Sequence, residues 1–432
     1  MDVLASLCQM EGAPARFRGV SKETWAEALE PCAGAGLLTR LGTGMYRIHP
    51  ALPAYLLALW RQQAGGTFEA EHAAARRASI RAHAALGSWL LQQIQGGSAE
   101  TAFAVLEAER RSLGAAAGEA LSLRLYAEAQ AILQPLDEFW DSRGLLEEAR
   151  GWVDRCREAL EDEGGQPPDL ETPAGALWLF MVGSQANRSH RAGALGEAEA
   201  TWDALRRALE GRPSAEARRY VATPYHQLGM VAQLRGDLPQ AEIWYRKSLE
   251  IKEALDNRPG MASSYHQLGI VAEDRGDLLQ AESWYRKSLE IEEALDNRPG
   301  RAMTYHQLGR VAQDRGDLPQ AETWYRKSLE IEEALDNRPG MAVSYATLGL
   351  LAEARGNAPQ ALEWMVRCVA LFPDFPHPST GPGPRHLARL AAALGVGALE
   401  ETWRRVTGEI LPRHIRDGVE RLQREAGPEE RS

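Results

Sequence analysis

A block of about 40 residues that returns almost unchanged constrains this chain more than any other feature. The blocks 261–300 and 301–340 agree at 33 of 40 positions. A closely similar block precedes them at 221–260, and a weaker copy begins at Met341. Self-similarity at a fixed period of 20 to 50 residues is typical of a solenoid, in which each repeat packs on its neighbours. Function is therefore to be sought on a stacked surface rather than in a single pocket.

Each block is predicted to form two helices. In its first half, Tyr225, Leu228 and Ala232 follow the i, i+3, i+7 spacing of one helical face, and Gly236 then interrupts that face. A second helix follows the glycine. Asn257 is a favoured N-cap residue, and the proline two positions later suits the first turn of the next helix. The unit is predicted to be a helical hairpin.

The landmark residues of the hairpin resemble a known repeat. They are Tyr225, Leu228, Gly229, Gly236, Ala241 and Tyr245. This order of large aromatic, Leu-Gly, Gly, Ala and aromatic is similar to the tetratricopeptide (TPR) consensus, and it recurs in register three times. The period of about 40 exceeds the usual 34, so the helices are expected to be longer. The resemblance implies an all-α fold, a TPR α-α superhelix.

The first 60 or so residues carry a different pattern. Leu37–Leu41 and Met45–Ile48 are predicted strands around a Gly-Thr-Gly turn, which indicates a β-hairpin. Two helical segments precede it. The phrase from Gly36 to Pro50 resembles the winged-helix module that follows the nucleotide-binding domain in bacterial STAND (NB-ARC-type) regulators. The resemblance implies a small winged-helix-like unit at the N-terminus.

The residues do not support the two functions that this resemblance suggests. In the STAND family a histidine at the place of His49 lies near a nucleotide in a Met-His-Asp motif, but Ile48-His49-Pro50 lacks the aspartate. The chain has no G-x-x-x-x-G-K-[ST] sequence, so no nucleotide-binding domain is expected within it. His49 is interpreted as a structural residue at the hairpin end. DNA binding is disfavoured because the segment 22–30 carries three carboxylates and one lysine.

The pattern predicts five regions along the chain. They are a winged-helix-like domain at 1–62, a helical region with a degenerate TPR-like repeat at 63–170, a TPR array at 171–371 with copies at 221–260, 261–300, 301–340 and 341–371, a Pro-rich linker at 372–384, and C-terminal capping helices at 385–427. Frequent prolines prevent a helix in the linker, which is predicted to be a loop or an extended wrap.

Composition excludes several classes of function. A net charge of -11 argues against nucleic-acid and anionic-membrane partners. Cys8, Cys32, Cys156 and Cys368 show neither disulfide nor zinc spacing, and no apolar stretch is long enough to span a bilayer. A cytoplasmic protein is expected. No nucleophile elbow, zinc or calcium motif occurs, so neither an enzyme nor a cofactor or metal site is predicted.

Differences between the copies indicate a candidate binding face. Positions fixed by packing should match, whereas positions that face a partner are free to change. On the first helices the copies differ at offsets 0, 7, 10 and 11 from Thr223, which share a helical face with the histidines at offset 3. In TPR proteins the matching positions line the concave groove that holds peptides. The candidate partner-binding residues are Thr223, His226, Met230, Gln233, Leu234, Ser263, His266, Ile270, Glu273, Asp274, Met303, His306, Arg310, Gln313, Asp314, Leu350 and Glu353.

Neutral drift on an exposed face is the alternative explanation for these differences. The second helices are also expected to be exposed, yet they vary little apart from Ile243, Ser283 and Thr323. The histidines at 40-residue spacing lie one hairpin apart, too far for shared bonds of roughly 2 Å to a zinc ion. They are interpreted as a ligand-facing or solvated row.

The first hypothesis is a non-enzymatic scaffold that binds a protein or peptide segment in the groove. The second is the sensor half of an ATP-dependent STAND-type switch whose NTPase domain is missing or on another chain. A third is a winged-helix transcription regulator. Glu273, Asp274 and Asp314 make the middle of the face acidic, offset locally by Arg310 and the histidines, which predicts a partner with at least one basic anchor. The sequence names neither the partner nor the oligomeric state.

Overall fold

The prediction of an all-α repeat fold with a small β-hairpin is confirmed. The computed structural model describes residues 2–42, 45–49, 52–210, 212 and 215–425. The chain forms two compact units, Met1–Ala217 and Arg218–Ser432. In the described ranges, helices dominate and the strands form one two-stranded antiparallel sheet. The five predicted region boundaries remain predictions.

The first unit begins with helices around the hairpin. They are α1 (Asp2–Gln9), α2 (Lys22–Gly34), β1 (Leu38–Gly42), β2 (Met45–Ile48) and α3 (Leu52–Ala64). The two strands form the predicted β-hairpin, with Leu38 paired to Ile48, and turn residues 43 and 44 lie outside the described residues. The side chain of Ser21 caps α2 by accepting a hydrogen bond from the Thr24 amide at 3.2 Å.

Long helices form the rest of the first unit. They are α4 (Phe68–Gln95), α5 (Ala99–Ser122), α6 (Tyr126–Arg143), α7 (Leu146–Leu160), α8 (Pro173–Arg191) and α9 (Leu195–Glu210), with a 3-10 turn at Gly65–Thr67. The short helix α10 (Ala215–Tyr220) crosses the boundary between the two units. Arg188 of α8 donates to Asp137 of α6 at 2.6 Å, and both side chains are buried. Ser184 donates to the other oxygen of Asp137 at 2.7 Å. One buried polar cluster thus joins α6 to α8.

The second unit stacks four helical hairpins and closes with three helices. The hairpins are copy 1 with α11 (Ala222–Leu234) and α12 (Leu238–Ala254), copy 2 with α13 (Arg258–Asp274) and α14 (Leu278–Ala294), copy 3 with α15 (Arg298–Asp314) and α16 (Leu318–Ala334), and copy 4 with α17 (Arg338–Ala354) and α18 (Ala358–Ala370). The closing helices are α19 (Gly383–Leu394), α20 (Val396–Thr407) and α21 (Arg413–Glu425), after a 3-10 turn at Pro378–Thr380.

Local sequence sets the ends of these helices. Asn257 caps α13 by accepting from the Gly260 amide at 3.1 Å, as predicted, and Asp237 caps α12 in the same way. Gly236 has a φ of 78°, a left-handed conformation that favours glycine in the turn between the two helices of a hairpin. The same caps and turns recur in copies 2 and 3, so the hairpin geometry repeats with the sequence.

A tyrosine packed on a glycine forms the centre of each of the first three hairpins. Tyr285 of α14 is fully buried against Gly269 of α13, where a Cβ atom would lie 2.5 Å from the ring. The glycine of the Leu-Gly landmark therefore lies directly against the aromatic landmark of the second helix. Tyr265 stacks on Trp284 with ring centroids 5.5 Å apart, and its hydroxyl donates to Glu253 of copy 1 at 2.7 Å. The first ring closes one hairpin and the second helps to join two copies.

The Pro-rich segment after α18 is packed against the end of the array. The rings of Phe372 and His377 stack with centroids 3.8 Å apart, and Thr380 is buried. Phe375 lies against Gly418 of α21. These contacts hold the segment, which bends and includes the 3-10 turn, against the neighbouring helices. Apolar residues of α19, α20 and α21 then cover the apolar surface of α18.

Candidate functional site

Two rows of residues that differ between the copies are exposed on the first helices. Thr223, Ser263 and Met303, at offset 0, are exposed, and Met303 keeps 59% of its surface accessible. Leu234, Asp274 and Asp314, at offset 11, are exposed as well. We call these six residues the first-helix face. Their variation is therefore compatible with packing of the hairpins, because none of them is part of the core.

The row at offset 7 lies closer to the core. Met230 and Ile270 are half-buried against the core of copies 1 to 3, and Leu350 is half-buried against the core of the closing helices. Arg310 is exposed and donates to Glu273 of copy 2 at 2.5 Å. This row contributes to packing between copies, and only Arg310 adds an exposed charge.

The row at offset 10 is tied to the second helices by hydrogen bonds. The hydroxyl of Tyr285 donates to Glu273 at 2.9 Å, and those of Tyr245 and Tyr325 donate to Gln233 and Gln313. Gln233 and Gln313 are half-buried and Glu273 is 9% exposed. In copy 4 the residue at this offset, Glu353, pairs instead with Arg389 and with His386 of α19.

Glu273 therefore differs from the predicted exposed acidic residue. It is buried, accepts hydrogen bonds from Tyr285 and Arg310, and already has its counter-charge inside the array. Burial raises the pKa of Tyr285, and the Glu273 carboxylate raises it further. The expectation that Glu273 contributes negative charge to the surface is wrong. The residue pattern of a single helix does not show that Glu273 pairs with Arg310, 37 positions further along the chain. The exposed acidity comes from Asp274 and Asp314.

The histidines were predicted to form a ligand-facing or solvated row; the solvated alternative is wrong, and the ligand-facing one stays a prediction. His266 is 7% exposed and lies against Tyr285 with ring centroids 5.4 Å apart, and its Nδ1 is 3.2 Å from the Thr304 hydroxyl. His226 and His306 are half-buried against the matching tyrosines. Offset 3 faces the next hairpin, which a single-helix projection does not show.

Burial also removes the positive charge expected of these histidines. Desolvation lowers the pKa of His226, His266 and His306 to about 4, with smaller contributions from Lys252 at His226 and from Arg310 at His306. The imidazoles are neutral at pH 7 and do not offset the acidity of the first-helix face. A signal in the sequence was available: copy 4 has Ala346 in place of the histidine.

The second helices present a surface that stays the same from copy to copy. Lys287 lies over the rings of Tyr265 and Trp284, with Nζ 5.4 and 4.6 Å from the two centroids. Arg286 lies over Trp324 of the following copy at 5.6 Å. Corresponding contacts occur around Trp244 and Trp324. On this surface, which we call the second-helix face, copies 1 to 3 differ at two exposed positions, occupied by Ile243, Ser283 and Thr323 and by Pro239, Leu279 and Pro319.

In the described ranges, His, Cys, Asp and Glu side chains form no group of three or more that could hold a metal ion. No helix in those ranges is both long and apolar enough to cross a bilayer.

Comparison with known proteins identifies the repeat type. Residues 184–401 match the family model described as the MalT-like TPR region. No curated protein matches the chain. Among solved structures, BtubC (BKLC) from P. vanneervenii is 17% identical with a TM-score of 0.42, over 56% of this chain and 91% of that one. A Podosopora anserina protein with nearly identical TPR-like repeats is 20% identical with a TM-score of 0.37, over 46% and 94%. MamA is 17% identical with a TM-score of 0.33, over 43% and 93%.

Proposed function

The chain belongs to the MalT-like TPR region family, and from this premise we propose that it binds a protein or peptide segment of a partner on its first-helix face. TPR repeats are in general protein-interaction scaffolds without catalytic activity. The chain's own residues agree with such a role, since its recurring polar groups serve caps, turns and contacts between copies. We place the interaction in the cytoplasm, because the four cysteines are free thiols.

One observation carries the choice of face. Residues that vary between otherwise matched copies are exposed at offsets 0 and 11, while the aromatic and cationic contacts of the second helices recur. A surface that selects a partner needs different side chains in successive copies. A surface that only stabilises the stack does not.

The exposed charges predict the chemistry of the partner. Asp274 and Asp314 stand in successive copies, and the histidines that would have offset them are neutral at pH 7. Exposed carboxylates attract a basic segment, and salt screens that attraction. We therefore expect a partner with at least one basic anchor, whose affinity falls as salt is added.

A comparison of two surface variants tests the proposal. Asp274→Lys/Asp314→Lys inverts the charge of the first-helix face, and Ile243→Lys/Thr323→Lys adds two positive charges to the second-helix face. Glu273 is left intact because its substitution would disturb buried contacts. Partners recovered from the source cytoplasm are quantified by mass spectrometry, with circular dichroism as the folding control.

The first variant should lose partners that the wild type recovers, and the second should keep them. Equal recovery by all three proteins would remove the first-helix face from consideration. Loss only in the second variant would move the site to the second-helix face.

The second candidate is the sensor half of a STAND-type switch. It is favoured by the match to a MalT-like TPR region and by the helix, helix, hairpin and helix order of residues 2–64. In this case the scaffold function would be coupled to an NTPase on the same or another polypeptide. A reading frame continuous with Met1 and encoding a P-loop would favour the switch. The chain by itself is expected to bind no ATP at micromolar concentration, because it lacks a phosphate-binding loop sequence.

A further inference from the structure

The clefts between successive copies differ at one buried position of the second helix. Lys252, Glu292 and Glu332 occupy this position in copies 1, 2 and 3, and each is less than 10% exposed. Each lies at the same place in its helix, two residues before its end. The same backbone therefore holds a cation in one cleft and a carboxylate in the next two.

The first and third of these clefts satisfy the buried group internally. The ammonium of Lys252 donates to the Ser264 hydroxyl at 2.8 Å, and burial lowers the pKa of this lysine to about 8. In the cleft between copies 3 and 4, the side-chain amide of Asn337 donates to Glu332. The first cleft shows that this position can accommodate an ammonium group.

The middle cleft leaves part of its carboxylate without a partner. One oxygen of Glu292 accepts from the Ser288 hydroxyl at 3.3 Å, whereas Oε2 is buried and makes no hydrogen bond of standard geometry, the Thr304 hydroxyl being the nearby neutral donor. Arg301 is the nearby cation, but its guanidinium donates to Asp296 at 3.1 Å. Burial raises the pKa of Glu292, while Thr304, Ser288 and Arg301 act in the opposite direction.

A small cavity is lined both by this carboxylate and by two residues of the first-helix face. Its volume is about 200 Å³, and it is lined by residues of copies 2 and 3 that include Ser263, His266, Glu292 and Met303. Ser263 and Met303 are exposed, whereas His266 and Glu292 are buried. Pockets for small-molecule ligands usually measure roughly 300 to 1,000 Å³, so this one suits a single side chain. His266 is neutral at pH 7 and does not repel a cation.

We propose that the cavity between copies 2 and 3 receives the ammonium group of a lysine side chain from the partner segment, with Glu292 as its counter-charge. The inference rests on the proposed function and assigns a position to its basic anchor. An incoming lysine would supply the charge that Lys252 supplies in the neighbouring cleft. A buried carboxylate with an unpartnered oxygen gains most from a charged donor, because hydrogen bonds to charged groups are stronger than neutral ones.

Binding can be measured with n-butylammonium, which mimics the lysine side chain. The full chain is labelled with ¹³C at the methionine methyl groups, and the Met303 signal is assigned by Met303→Leu. At neutral pH, butylammonium should shift the Met303 signal saturably, and n-butanol, an uncharged molecule of similar length, should not. n-Butylguanidinium tests arginine as the anchor and should bind more weakly. Equal shifts with butylammonium and butanol would overturn the proposal.

The chain offers matched variants for this titration. Glu292→Gln should weaken butylammonium binding about tenfold or more, since it removes the charge and keeps the shape. Glu332→Gln, at the same position of copy 3, should leave binding unchanged. Glu292→Lys recreates the residue of copy 1 and should abolish binding in a folded protein. Arg301→Met recreates the residue of copies 2 and 4 and should strengthen binding, because a competing cation is removed. Equal binding by wild type and Glu292→Gln contradicts the proposal.

Partner recovery by Glu292→Lys separates this inference from the proposed function. If the variant loses the partners that depend on Asp274 and Asp314, both stand. If it keeps them with unchanged affinity, the lysine site is wrong while the first-helix face remains the binding surface.

Discussion

Copies 2 and 4 build the same helical hairpin around different side chains. In copy 2, His266 lies against Tyr285, whose hydroxyl donates to Glu273. In copy 4, Ala346 and Met365 occupy the corresponding places, and both are buried. The helices keep the same lengths in the two copies up to α18, which ends four residues earlier than α14. Two residues that touch have therefore changed together.

The residue at offset 10 is a glutamate in both copies, but its partner differs. Copy 4 has no tyrosine hydroxyl that could donate a hydrogen bond to Glu353. Glu353 pairs with Arg389 and His386 of the closing helix α19. Glu273 in the interior of the array pairs instead with Arg310 of the following copy. The comparison teaches that the residue at offset 10 is satisfied by whatever packs next to its hairpin. Terminal repeats of a solenoid differ for this reason.

The largest expected effect comes from removing the central ring of copy 2. Tyr285→Ala should lower the free energy of unfolding by about 3–5 kcal/mol, because it empties a fully buried site. Tyr285→Met should cost less, and adding His266→Ala should recover part of that cost by reproducing the pair found in copy 4. Urea unfolding followed by tryptophan fluorescence measures each step. Additive costs in the double variant would show that the two residues are not coupled.

A smaller effect is expected from a methyl group added at the glycine under the ring. A Cβ on Gly269 would lie 2.5 Å from Tyr285, so Gly269→Ala should destabilise the protein by about 1–3 kcal/mol. The matched variant Gly349→Ala meets the terminal methyl of Met365 at 2.7 Å, which can move aside. It should cost less than Gly269→Ala by the same measurement. Equal costs would mean that the ring and the thioether are equally rigid.

The helical hairpins could be predicted from local sequence patterns because their caps and turns depend on residues that are close together in the chain. The cap at Asn257, the turn at Gly236 and the β-hairpin ending at Ile48 each depend on neighbours a few residues away. Gly229 and Tyr245 were predicted as landmarks, and their contact follows from the close crossing of the two helices. Because the pattern occurs in four copies, a helix or turn that is ambiguous in one copy can be assigned from the others.

The candidate site was predicted less completely because its contacts join different copies. Glu273 contacts Arg310, and the Nδ1 of His266 lies near Thr304, each nearly one full repeat further along the chain. A projection of one helix assigns such residues to an outer face, whereas the next hairpin covers them. The difference at Lys252, Glu292 and Glu332 is visible in the sequence, but its burial is decided by the stacking of second helices on first helices.

A further expected effect is a pH dependence that distinguishes copy 2 from copy 4. The pKa of His266 is lowered by burial to about 4, whereas an unfolded chain has an ordinary histidine pKa near 6.5. The unfolded state therefore binds more protons between these values, so stability is complete above about pH 6.5 and is lost as the pH falls towards 4. The loss from one histidine is about 2 kcal/mol at pH 5.

His266→Ala reproduces copy 4 at this position and should remove that part of the pH dependence. The carboxylates titrate in both proteins, so the difference between their stabilities at pH 7 and pH 5 isolates the imidazole. Gln267→Ala, a neighbouring substitution without a titrating group, should retain the full wild-type dependence. The quantity to compare is the change in the free energy of unfolding between the two pH values, from urea titrations. The same slope in His266→Ala and wild type would mean that the imidazole has the same pKa in the folded and unfolded states, and its place in the buried contact with Tyr285 would have to be reassigned.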